Sequence, residues 1–187
     1  EFKYGTQTLK LGLIGVLLPS NEQPYVHYQP FVTRFKEEYQ AIKERCDLVV
    51  GITHLAVEDD KLLAQAVSEV PLLMGGHEHE NMLIKENGVH ITKADANAKT
   101  AYIHRISYSP ESGEVSIQSE LRNVNKTIDL DAEVTTIVQR WEQIAATAMA
   151  EMGYDVEEVI TETKEPWNGL ESDNRNEPTN LGRMIAK

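Results

Sequence analysis

The chain has 187 residues, enough for one ordinary domain or one and a part. Its hydrophobic content of 41% suits a packed core and sets it apart from disordered chains. A net charge of −12 argues against a binder of nucleic acid polymers, which would carry a basic face. It leaves small anionic molecules open, because metal ions can supply the local positive charge.

No apolar run reaches the length of a membrane span, and no signal peptide is recognisable. If the amino terminus is a cut rather than a native start, the missing signal says nothing about compartment. Cys46 is the only cysteine, so no internal disulfide can form. It reads as a small buried apolar residue ahead of a core strand.

Residues 1–10 alternate weakly and read as an edge strand or as a consequence of where the chain starts. Residues 11–18, Leu-Gly-Leu-Ile-Gly-Val-Leu-Leu, form a buried strand whose glycines allow close packing. A polar loop over 19–30 follows, interrupted by Pro24 and holding His27 as a loop histidine. Phe31, Phe35, Tyr39 and Ile42 recur at helical spacing, and the charged residues between them can face water. Residues 47–53 return to a core strand, with His54 at its carboxyl end. Asp59 or Asp60 is placed to cap a helix carrying Leu62, Leu63, Ala66 and Val67 inward. The order strand, helix, strand, helix, strand favours a parallel sheet.

The third strand, residues 70–74, empties into Gly75-Gly76-His77-Glu78-His79-Glu80. On extended backbone His77 and His79 share one side, with Glu78 facing away and Glu80 turning back. Two imidazoles on one side make half a metal site, although histidines in a polar loop also occur as solvated bystanders. In parallel α/β sheets ligands gather beyond the carboxyl ends of the strands. Neighbouring strands therefore bring His54 to the same edge as His77 and His79.

Beyond His79 the texture is that of hairpins. Residues 82–85 and 89–92 flank Glu86-Asn87-Gly88, and residues 102–106 and 115–117 flank a turn at 110–113. His90 and His104 read as outward strand residues, and the loop 93–99 as ordinary turn chemistry. Residues 131–152 are the longest helical pattern, with Val134, Ile137, Val138, Trp141, Ile144, Ala145 and Ala148 on one stripe and Gly153 as the C-cap. Residues 156–163 suggest a further strand. Residues 167–179 are polar and turn-rich, and 181–187 resemble a helix.

Gly51-Ile52-Thr53-His54 followed by Gly76-His77-Glu78-His79 resembles the last two motifs of the calcineurin-like metallophosphoesterases. Asn180-Leu181-Gly182, preceded by Arg175, resembles the opening of the C-terminal domain of the 5'-nucleotidase family. The family's earlier motifs, Asp-x-His, Gly-Asp and Gly-Asn-His-(Glu/Asp), are absent, so the chain looks like a fragment lacking the N-terminal half of the catalytic domain. The resemblance implies an α/β fold: part of a layered sheet-and-helix domain with mixed sheets, followed by a long linker helix. It divides the chain into residues 1–128 (catalytic domain, C-terminal part), 129–153 (interdomain helix) and 154–187 (start of the C-terminal domain).

What this implies chemically is the hydrolysis of a small phosphorylated substrate, a nucleotide phosphate ester, by metal-activated water. Two divalent ions, zinc, manganese or similar, lie roughly 3.5–4 Å apart in such sites. His54 and His77 would hold one ion and His79 the other, with the bridging aspartate and the asparagine in the missing segment. Arg175 and Asn180 would meet the substrate, Arg175 through its planar charged fork, and Arg183 is a weaker candidate. Within the chain itself no catalytic acid or base stands out, nor any convincing triad or phosphate-binding glycine loop. The resemblance also implies an extracytoplasmic location. Two other readings stay open: a non-catalytic module holding one structural ion, and a plain α/β interaction domain.

Overall fold

The computed structural model describes residues 1–4, 7–20, 22–159 and 161–186, which fall into two compact units, Glu1–Ile128 and Asp129–Lys187. Among the described residues, the first unit opens with β1 (Phe2–Tyr4) and β2 (Gln7–Leu9), paired antiparallel. The start of the chain is therefore stranded. There follow β3 (Leu11–Leu17), α1 (Phe31–Ile42) with a 3₁₀ turn at Lys43–Arg45, β4 (Leu48–His54), α2 (Val57–Ala66) and β5 (Leu72–Gly75). Next come β6 (Met82–Glu86), β7 (Val89–Lys93), β8 (Thr100–Tyr108) and β9 (Val115–Asn123).

The main sheet runs in the order β3-β4-β5-β7-β6, with β3, β4, β5 and β7 parallel and β6 antiparallel. Local chemistry explains the swap at its end. Asn87 (φ 49°) and Gly88 (φ 85°) supply the two positive φ angles of a type I′ turn, so β6 and β7 fold on each other as a hairpin. It is β7 that pairs with β5. The connection after β5 must then arch across the end of β7 to reach β6.

Alternation along the strands sorts the core into two faces. Val49, Leu73, Val89 and Ile91 meet Phe35 of α1 and Leu63 and Ala64 of α2 on one face. Leu48, Val50 and Leu72 meet Ile106, Val115 and Ile117 on the other, so the β8–β9 ribbon covers the sheet opposite the helices.

Two expectations need correction here. His90 and His104 do not point outward. His104 Nδ1 lies 2.9 Å from Ser119 Oγ, its Nε2 lies 3.4 Å from Thr92 Oγ1, and its ring stacks on Tyr102 at 5.8 Å. Both parities of β8 hold apolar residues, Ile103 on one and Tyr102 and Ile106 on the other, so alternation alone could not choose the covered face. Burial draws both imidazoles below the ordinary value, helped by Lys85 beside His90 and by His90 beside His104. Nor do Asp59 and Asp60 cap α2. The helix begins at Val57 after Ala56, which offers no side-chain cap, and Asp60 is buried inside the first turn.

In the second unit α3 (Ala132–Glu151) starts at Asp131, whose carboxylate accepts from the Val134 N–H at 2.9 Å, and Gly153 follows its end at φ 87°. Its stripe of Val134, Ile137, Val138, Trp141 and Ile144 is exposed. No strand forms over 156–163 among the described residues, and Ile160 lies outside them. Asp155 Oδ1 instead accepts from the Glu157 N–H at 3.0 Å and turns the chain. Two short helices, α4 (Glu171–Asn176) and α5 (Asn180–Ile185), complete this unit. Among the described residues no helix is long and apolar enough to cross a membrane.

Candidate metal centre

His54 is the last residue of β4, and His77 lies two residues past the end of β5. The strands are adjacent and parallel, with Thr53 opposite Gly75, so both histidines emerge at one edge. The Gly76 N–H donates to the Thr53 carbonyl at 3.1 Å and carries the pairing one step further. Gly76 also permits the close approach, since a Cβ there would stand 3.3 Å from His54 Nδ1. The rings of His54 and His77 meet edge to face, centroids 5.5 Å apart and planes at 74°.

Beyond Gly76 the extended backbone expected for the second histidine pair is absent. Residues 77–80 are a run of bends, with φ 96° at His77 and 64° at His79. Left-handed backbone at a residue with a Cβ costs of order 1–3 kcal/mol and persists only where surrounding contacts impose it. Here the contact is inward: Glu78 turns beneath the loop, accepts from the Val57 N–H and pairs with Lys93. It thereby caps α2 from a distant segment. His79 sits exposed on the far side of the bend, its carbonyl accepting from the Ala96 N–H at 3.2 Å. Asn81, at the foot of the arch, gives its backbone N–H and its side-chain amide to Asp95, which also accepts from Thr100 Oγ1 at 2.7 Å. The loop over 93–99 is thus turn chemistry serving the arch.

Neutral imidazoles suit a zinc-like or manganese-like ion, and the His54–His77 pair offers two of them at one point. Among the described residues no group of three or more histidine, cysteine, aspartate or glutamate side chains stands close enough to hold an ion. The pair therefore fits as part of a coordination shell.

Sequence reasoning missed what lies behind it. Lys93, at the end of β7, is only 1% exposed, and Asp60 of α2 is 0% exposed. Lys93 Nζ donates to the carbonyls of Leu55 (2.6 Å) and Gly76 (2.9 Å), lies 2.7 Å from Asp60 Oδ2, and pairs with Glu78. Burial raises the Asp60 carboxyl against the pull of Lys93 and Thr53. Burial also works to raise Glu78, but Lys93 and the backbone N–H groups outweigh it and leave that carboxyl lowered. A usable signal existed: Lys93 shares the period of Val89 and Ile91, and a lysine on a buried strand face demands a counter-charge.

In the second unit Arg175 occupies the exposed last turn of α4 rather than an irregular loop. Asn180 organises its surroundings. Its Oδ1 accepts from the N–H groups of Asn168 and Leu181, each at 2.8 Å, and its Nδ2 donates to the Pro166 carbonyl at 3.0 Å. Thr179 Oγ1 caps α5 by accepting from the Gly182 N–H at 2.9 Å, and Arg183 lies on the helix that follows.

Comparison with known proteins bears out the expected likeness. The chain is 25% identical to a 5'-nucleotidase of Diplobatis ommata over 95% of its own length and 34% of that protein. It is 26% identical to an uncharacterized metallophosphoesterase of Bacillus subtilis over 65% of its length and 28% of the relative. A 5'-nucleotidase precursor from Thermus thermophilus superposes with a TM-score of 0.69 at 20% identity, covering 94% of this chain and 38% of that structure. That last likeness is one of fold, and the mixed-sheet α/β architecture is shared with it. The chain thus spans about a third of the length of these proteins. No family model matches it.

Proposed function

We propose that the chain is the histidine-bearing part of a metal-dependent phosphoric ester hydrolase of 5'-nucleotidase type, acting on small nucleotide phosphates. Residues 1–128 are then the C-terminal part of its catalytic domain, 129–153 an interdomain helix, and 154–187 the start of a C-terminal domain. The observation that carries this reading is the meeting of His54 and His77 at the carboxyl edge of two parallel strands, with His77 held in left-handed backbone.

In this reading His54 and His77 present ring nitrogens to one divalent ion, and His79, exposed beyond the bend, serves a second. Ions so bound would supply the positive charge that activates water and neutralises the phosphoryl oxygens. The chain's own residues hold and orient: Gly76 lets the imidazoles approach, Glu78 and Lys93 set the loop, and Arg175 with Asn180 addresses the nucleotide phosphate. The anionic ligands that would complete such a pair of ions are assigned to polypeptide outside these 187 residues, and an extracytoplasmic setting accompanies the reading.

The test is metal content and turnover in a protein extended upstream. Stoichiometric zinc or manganese and nucleotide hydrolysis, both lost in His54→Ala and His77→Ala, would support the reading. Wild-type turnover in both variants would overturn it. Metal binding without hydrolysis of any phosphate ester would favour a non-catalytic metal module instead.

A further inference from the structure

Behind the two imidazoles lies a cluster that their proposed role does not use. Lys93 has three ammonium protons and four oxygen neighbours, drawn from three separate segments of chain. Leu55 O follows His54 directly, Gly76 O precedes His77 directly, and Glu78 stands between His77 and His79. Asp60 comes from α2, whose first backbone N–H is held by the other oxygen of Glu78. One buried cation thus grips both histidine-bearing loops by the residues next to their histidines.

We propose that Lys93, Asp60 and Glu78 form an internal charge clamp that sets the spacing and orientation of His54 and His77, making Glu78 a positioning residue for the metal ligands. The consequence for metal affinity rests on the reading of His54 and His77 as ligands. The consequence for ring geometry does not, and the two are separable by experiment. Glu78 does its work through reach: one oxygen on Lys93, the other on Val57, with the loop backbone bent to allow both. A carboxylate one methylene shorter would keep the charge and lose one of these contacts.

Lys93→Met is the obvious variant, but it strands two carboxylates and threatens the fold itself. Glu78→Gln and Glu78→Asp are the better pair, because Lys93 keeps Asp60 in both. Glu58→Gln, an exposed acid on α2, serves as a control of equal charge change. Two measurements are made on the 187-residue chain: zinc affinity by calorimetry, and the nuclear Overhauser contact between the His54 and His77 ring protons without metal. Expected is a loss of affinity of about 10- to 100-fold in both Glu78 variants, with loss of the ring contact and no change in Glu58→Gln.

Retention of wild-type affinity and ring contact in Glu78→Asp would overturn the clamp, since charge alone would then account for Glu78. Should the wild-type chain bind no zinc, the metal reading is weakened, but the ring contact still decides. Its loss in both Glu78 variants supports the clamp, and its persistence in either overturns it.

Discussion

Gly51 stands opposite Leu73 in the parallel pairing of β4 with β5, and a Cβ at Gly51 would lie 2.5 Å from Leu73 Cδ2 and 3.1 Å from Phe35 Cε2. Both neighbours are fully buried, so neither can swing into solvent. Gly51→Ala should destabilise the first unit by about 1–3 kcal/mol, read from urea unfolding. Gly15 on β3 is the contrast, since its nearest neighbour would be a carbonyl oxygen at 4.0 Å. Gly15→Ala should be neutral or stabilising by up to about 1 kcal/mol, because it relieves the entropic cost of a strand glycine.

The histidines under the ribbon give stability a pH dependence of definite sign. Burial holds His90 and His104 below 6.5, so as pH falls the unfolded chain takes up protons before the folded one. The stability they contribute is complete above about pH 6.5 and is lost as pH drops through that value toward their folded values. Unfolding midpoints measured between about pH 7.5 and 5 should decline in the wild type. The decline should flatten in His90→Gln/His104→Gln. An equally steep decline in the double variant would assign the effect to other groups.

Metal binding by the isolated chain should be modest. With two adjacent imidazoles and no larger group of ligating side chains among the described residues, zinc is expected to bind weakly and at one site, read by calorimetry. Phosphoesterase turnover with added zinc or manganese should be negligible. Robust turnover by the chain, abolished by His77→Ala, would mean that its own residues complete the site.

Arg175 is tested in a longer, active protein that carries the carboxylates the proposed site requires. Arg175→Ala should raise KM or lower kcat for nucleotides while metal content stays unchanged, and Arg183→Ala should do less. Unchanged kinetics on every phosphate ester tried would make Arg175 an ordinary surface residue of α4.

Much of the first unit was legible because its signals are local. The helical spacing of Phe31, Phe35, Tyr39 and Ile42, the apolar run before His54 and the Asn87-Gly88 turn each declare their element without tertiary help. The inward turn of Glu78 was not legible in this way. It depends on a lysine 15 residues later, delivered to the right place by the insertion of β7 between β5 and β6. The covered face of β8 was hidden for a similar reason, since Tyr102 and Ile103 advertise opposite faces and only the docked ribbon decides between them. Among the described residues the expected strand over 156–163 does not form, because β-branched residues invite pairing but cannot supply a partner.

The place of β7 in the sheet also bears on the order in which the molecule is assembled. β6 and β7 can close on each other early, around a two-residue turn, without reference to the rest of the chain. Docking of that hairpin on β5 carries Lys93 under Gly76 and Glu78, where it holds the loop above. Completion of the sheet therefore also completes the support beneath the histidine pair. A ligand that recognises the supported pair would bind the folded chain in preference to the unfolded one and draw the population toward it by mass action.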